Sequence, residues 1–121
     1  MSDTPTVDLS LLFGAKVHVF LPKKANEKTQ EFDRGVTTHE LTLMQQGVRK
    51  FVNSFKGEFH QTSWLKTQTG PALAFDVSLP EEQVSATRQA LDKLEKPKIS
   101  DKSDQKGPVV YWPPYMGLVK R

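Results

Sequence analysis

Apolar and polar positions change rhythm several times along this 121-residue chain, and each change marks an element. In residues 16–21, Val17, Val19 and Leu21 alternate with His18 and Phe20 in a β-branched and aromatic run. That period of two predicts a strand, ended by Pro22. Residues 23–36 have no period and are rich in charge, so they read as a long exposed loop.

Thr37 followed three residues later by Glu40 makes a capping box, and Leu41, Met44, Val48, Phe51, Val52 and Phe55 recur at three-and-four spacing. The pattern predicts a helix over 38–55. Gly47 weakens that helix from inside its apolar stripe. Gly57 suits the left-handed turn that closes a helix.

Residues 58–67 give a mixed strand pattern around Phe59 and Trp64, whereas Leu73, Phe75, Val77 and Leu79 fall cleanly on one face of 71–80. Gln68-Thr69-Gly70 joins the two as a hairpin. A second helix is expected over 80–96, with Ser78 as cap, Pro80, Glu81 and Glu82 in its first turn, and Val84, Thr87, Leu91 and Leu94 as its stripe. Pro97 stops it, and the charged stretch 97–107 reads as a flexible loop. Val109, Val110, Tyr111 and Trp112 form a last short strand before Pro113 and Pro114.

Residues 1–14 show only a short Leu11-Leu12-Phe13 run, so they are taken as a flexible segment ahead of a single α+β domain over 15–121. The order strand, helix, strand, strand, helix, strand predicts a ferredoxin-like split βαβ fold, a four-stranded antiparallel sheet with two helices on one face. In that topology the first and third predicted strands are neighbours.

Composition narrows the class without naming an activity. Hydrophobic residues make up 36% and charged residues 26%, the balance of a folding globular chain. There is no cysteine, which removes disulfides and thiolate metal sites and favours a reducing, cytoplasmic setting. No basic stretch precedes an apolar core near the start and no apolar run approaches about eighteen residues, so neither a signal peptide nor a membrane span is expected. The net charge of +3 permits a nucleic-acid partner without requiring one.

If Val17 and Val19 face the helices, His18 and Phe20 face the open side of the sheet, as do Ala72, Ala74 and Asp76. His18 and Asp76 are then the candidate acid-base pair, although simple solvation is the commoner reason for two such residues on a sheet face. His18, His39 and His60 have no paired metal-ligand spacing, and no phosphate loop or nucleophile elbow is present; no metal, cofactor or catalytic activity is expected.

The aromatic residues point elsewhere. Phe20, Trp64, Tyr111, Trp112, Tyr115 and Met116 are the candidate binding residues, because aromatic side chains supply anchor area at interfaces. The expectation is a small non-catalytic interaction or regulatory protein that binds a protein partner, forms a homodimer through the open sheet face, and carries an extended aromatic arm beyond Pro114. The alternative is a single-stranded nucleic-acid binder using Phe20 with Lys23, Lys24, Lys28, Lys120 and Arg121, against which Asp76 and the missing RNA-binding consensus count. A small ligand-binding or enzymatic dimer built on the same fold is the third.

Overall fold

The N-terminal segment expected to be flexible supplies a central strand. The computed structural model describes residues 5–21, 30–94, 97–99 and 108–121, and in it Thr6–Gly14 forms strand β1. Leu9, Leu11 and Phe13 are buried on one side of it, while Leu12 points to the other. The unbroken Leu11-Leu12-Phe13 run hides an alternation of period two.

The remaining elements are β2 (Lys16–Leu21), β3 (Gln30–Gly35), α1 (Thr38–Ser54), β4 (Glu58–Thr67), β5 (Gly70–Pro80), a short 3-10 turn (Glu81–Gln83), α2 (Val84–Asp92), β6 (Val109–Tyr111) and β7 (Tyr115–Lys120). They make two antiparallel sheets, β4-β5-β1-β7 and β3-β2-β6. The mixed α+β class with two helices holds. The ferredoxin-like order does not, because β5 pairs with β1 and leaves β2, the expected neighbour, in a separate sheet.

A shared corner separates the sheets. β1 passes into β2 across Ala15, and β6 passes into β7 across Trp112, Pro113 and Pro114. At that corner the Gly14 N–H donates to the Pro114 carbonyl at 2.9 Å. Two prolines lack the donors a ladder needs, so the chain leaves one sheet and joins the next instead of stopping. Residues 115–120, expected as a free arm, are therefore a strand whose Leu118 is buried.

α1 begins as its sequence predicts, with Thr37 Oγ1 accepting from the Glu40 N–H and Glu40 Oε1 accepting from the Thr37 N–H. Its end differs: Lys56, at φ 62°, takes the left-handed position expected of Gly57. Gly57 is demanded by space, since an added Cβ would stand 2.7 Å from the Ser78 carbonyl oxygen and 2.5 Å from Leu79 Cδ2.

α2 is shorter than the 80–96 expected, because β5 runs on through Pro80 and the helix proper starts at Val84. Ser78 therefore lies in β5, where its hydroxyl bonds to Asp8 in place of capping a helix. Leu94, the last of the stripe, lies past the helix end and is 43% exposed.

Met44, Val48 and Val52 of α1 and Leu91 of α2 close over Leu9, Leu11, Leu73, Phe75, Val77 and Leu79, and the core continues beneath the second sheet through Val17, Val19 and Val110. Each such side chain contributes about 1.5–3 kcal/mol of burial. That outweighs the ~1 kcal/mol helix penalty of Gly47. No described helix is long and apolar enough to cross a membrane.

Candidate functional site

Two adjoining apolar hollows meet at Trp112. Leu11 and Phe13 of β1 form the floor of the larger; Gly47, Val48 and Phe51 of α1 form one wall, and Leu91 and Leu94 form the other. Pro97, Lys98 and Trp112 complete it, enclosing about 250 Å³. The smaller hollow, about 160 Å³, shares Phe13, Leu94, Pro97 and Trp112 and adds Pro113, Pro114 and Tyr115.

Backbone bonds and ring packing both hold Trp112 in place. Its N–H donates to the Pro97 carbonyl at 2.9 Å, and the Ile99 N–H donates to Val110 at 3.1 Å, so 97–99 lies beside β6. The indole meets Phe13 edge-on at 5.6 Å, and Tyr115 packs on the same Phe13 ring at 5.6 Å. Burial pushes the Tyr115 hydroxyl up from its ordinary pKa. Gly47 admits the indole to the α1 surface, since a Cβ there would stand 2.6 Å from Trp112 Cζ2.

Chemically the described lining is suited to holding apolar groups. Among the described residues Lys98 is the one charged side chain that lines the larger hollow, beside aliphatic and aromatic groups. An apolar hollow with few polar groups is the usual form of a binding site for hydrophobic groups.

The polar residues gather on the helix-free face of the four-stranded sheet. Asp76 accepts from Ser10 Oγ at 2.7 Å and from Gln61 Nε2 at 3.0 Å, with Arg121 Nη1 at 3.6 Å. Burial opposes its ionisation, but these bonds and the Arg121 charge prevail and hold the carboxyl below its ordinary value. Ser78 Oγ donates to Asp8 at 2.8 Å and lies 2.7 Å from His60 Nε2. With its single proton given to Asp8, Ser78 accepts from His60, whereas an activated nucleophile must give its proton to the imidazole. The network joins neighbouring strands and prepares no nucleophile.

His18 and Asp76 do not form a pair, because β2 and β5 belong to different sheets. His18 Nδ1 lies 3.0 Å from Asp33 and Nε2 lies 3.6 Å from Glu31, with Tyr111 beside it at 6.2 Å between ring centroids. Phe20 stands opposite Glu31 and Val109 in the three-stranded sheet. The alanines of β5 are in the four-stranded sheet, and Trp64, opposite the core-facing Leu73, lies on the helix side of it. The single open-face patch expected from Phe20, Trp64 and the alanines is thus divided among three surfaces.

Of the aromatic tail, Trp112 and Tyr115 line the hollows, whereas Tyr111 pairs with His18 in the other sheet and Met116 is exposed. Lys120 is exposed on β7, and Arg121 is engaged with Asp8 at 3.4 Å and with Asp76. Lys23, Lys24 and Lys28 lie outside the described residues.

Phe51, Leu91, Leu94 and Lys98 are the site residues that the sequence pattern conceals, because the first three belong to the same apolar stripes as the core, of which Leu91 is itself a part. Gly47 is the signal that marks the place: a glycine in mid-helix points to a close approach. Among the described residues, no three His, Cys, Asp or Glu side chains are placed to hold a metal ion. No protein-family model, curated protein or solved structure matches the chain.

Proposed function

We propose that this chain is a non-catalytic interaction protein that receives apolar anchor side chains of a protein partner in the hollows beside Trp112. The observation that carries this reading is the larger hollow, about 250 Å³ of apolar lining with Leu94 43% exposed at its edge. A smaller hollow beside it suits a second anchor, as when an amphipathic segment lies across a groove. Lys98 favours a partner with acidic residues flanking those anchors. A cytoplasmic setting accompanies this reading, since the chain has no cysteine.

The same volume favours a free apolar ligand as the second reading, because a cavity of about 150 Å³ already holds benzene. Nucleic acid has less support: Arg121 is engaged by two carboxylates, and Phe20 stands opposite Glu31.

Leu94→Asp separates the surface from the core, because an exposed side chain can be charged without unfolding the domain. Immobilised wild-type chain should retain a defined protein from a lysate of its native host, and Leu94→Asp should lose it with an unchanged circular dichroism spectrum. Equal retention by both would overturn the reading. A small molecule released from the wild type in native mass spectrometry, with no retained protein, would favour the second.

A further inference from the structure

The hollows beside Trp112 offer hydrogen-bond donors as well as apolar lining. The smaller is bounded by Pro97, Pro113 and Pro114, which have no N–H, and the Pro97 and Pro114 carbonyls already accept from Trp112 and Gly14. The Leu94 N–H is likewise taken by Leu91. Two side-chain groups remain. Among the described residues nothing accepts from the Trp112 indole N–H or from the Tyr115 hydroxyl, and both side chains are half-buried. Burial favours the neutral Tyr115 hydroxyl, which therefore stays a donor at physiological pH.

The two donors belong to different parts of the groove. The indole edge that carries Nε1, marked by Cζ2 and Cε2, turns toward Gly47 on the wall of the larger hollow, whereas Tyr115 lines the smaller. Both rings pack on Phe13 at 5.6 Å, so their centroids are no farther apart than twice that spacing. One turn of polyproline helix, about 9 Å, falls within that span. A ligand covering these groups has to bring acceptors without adding donors of its own. An α-helix uses its carbonyls internally, and a β-strand brings N–H groups to a lining whose Pro97 and Pro114 carbonyls are taken. A proline-rich segment keeps its carbonyls free, has few N–H groups and presents apolar rings, which is how aromatic-lined grooves recognise it.

We propose that the segment received by the hollows is proline-rich, lies across them as a polyproline helix whose carbonyls accept from Trp112 and Tyr115, and has an acidic residue at the end beside Lys98. The inference rests on the docking surface proposed above and specifies its occupant. Lys98 is exposed and is the one charged described side chain of the larger hollow, so the acidic end belongs on that side.

Trp112 emission in the full chain with Trp64→Phe, titrated with a synthetic peptide of repeated Pro-Pro-Leu ending in glutamates, tests this. The control is the same peptide with every proline replaced by alanine. The proline peptide, already stiffened in its bound form, should bind at least about tenfold tighter than the control. Tyr115→Phe keeps the ring and loses the donor, and should weaken the proline peptide about threefold to tenfold with unchanged circular dichroism. Lys98→Glu, at an exposed position, should weaken the glutamate-ended peptide and favour a lysine-ended one. Equal or absent binding of the two peptides, a Tyr115→Phe chain that binds like wild type, or a Lys98→Glu chain indifferent to peptide charge would each overturn the proposal. If a lysate protein is lost by Leu94→Asp while the two peptides bind alike, the proline segment falls and the docking surface stands. If Leu94→Asp binds the proline peptide as tightly as wild type, both fall.

Discussion

The indole of Trp112 packs so closely on α1 that a Cβ added to Gly47 would stand 2.6 Å from Trp112 Cζ2 and 3.1 Å from Cη2. Gly47→Ala thus brings two effects of opposite sign. Helix propensity gains about 1 kcal/mol, while overpacking against a rigid ring costs about 1–3 kcal/mol. The expected result is a net loss of about 1 kcal/mol with Trp112 displaced outward. Denaturant melts and a red-shifted Trp112 emission in a Trp64→Phe background check it; a stabilised protein with unshifted emission would show that the indole does not need this space.

Arg34 makes a bidentate pair with Glu40, at 2.7 and 2.8 Å, although the two residues lie in β3 and α1. The Arg34 hydrogen bonds hold the Glu40 carboxyl below its ordinary 4.5, and Asp76 is held below 3.8. A carboxyl lowered in the fold contributes stability that is present above its ordinary value and lost as pH falls through the lowered one. Thermal stability should therefore be flat near neutrality and decline below about pH 5. Glu40→Gln should cost about 1 kcal/mol at pH 7, allowing for the half-open Arg34 side, and should flatten the acid decline. An unchanged acid profile in Glu40→Gln would assign the pH dependence elsewhere.

Removing residues 113–121 deletes the buried corner residue Pro113 and all of β7 with its buried Leu118, and exposes the β1 edge. An arm beyond the domain would leave the melting temperature intact when removed. The strand found here predicts the contrary, a loss of several kcal/mol or failure to fold, given ~1.5–3 kcal/mol for each large apolar side chain uncovered. Differential scanning calorimetry of the truncated chain decides between the two.

Phe75 is fully buried in β5 and meets Phe13 at 5.7 Å and Phe59 at 6.2 Å between ring centroids. Phe75→Ala should cost about 3–5 kcal/mol, because the surrounding strands cannot close over the space left behind. Chemical denaturation measures it directly. A loss under about 1 kcal/mol would place Phe75 outside the core.

The amino-acid sequence by itself determined those elements whose stabilising pattern is local. The Thr37–Glu40 capping box and the Met44, Val48, Val52 stripe specify α1, and the alternation of Leu73, Phe75, Val77 and Leu79 specifies β5. In α1 one face is buried and the other is not; in β5 both faces are buried, and the period comes from large apolar side chains on the core face alternating with small or polar ones on the other. β3 leaves none, since nearly all its residues are exposed and its backbone bonds to β2 alone make it a strand. Tertiary structure also decided which strand lies beside β5: Thr6–Gly14 takes the place expected of 16–21, because the corner at Ala15 and Pro113-Pro114 divides the strands between two sheets. The site followed from that corner. Trp112 and Tyr115 were recognisable as aromatic surface in the sequence, but their meeting with Phe13, Gly47 and Leu94 depends on residues distant along the chain, and no local period records a packing made only when the two sheets close.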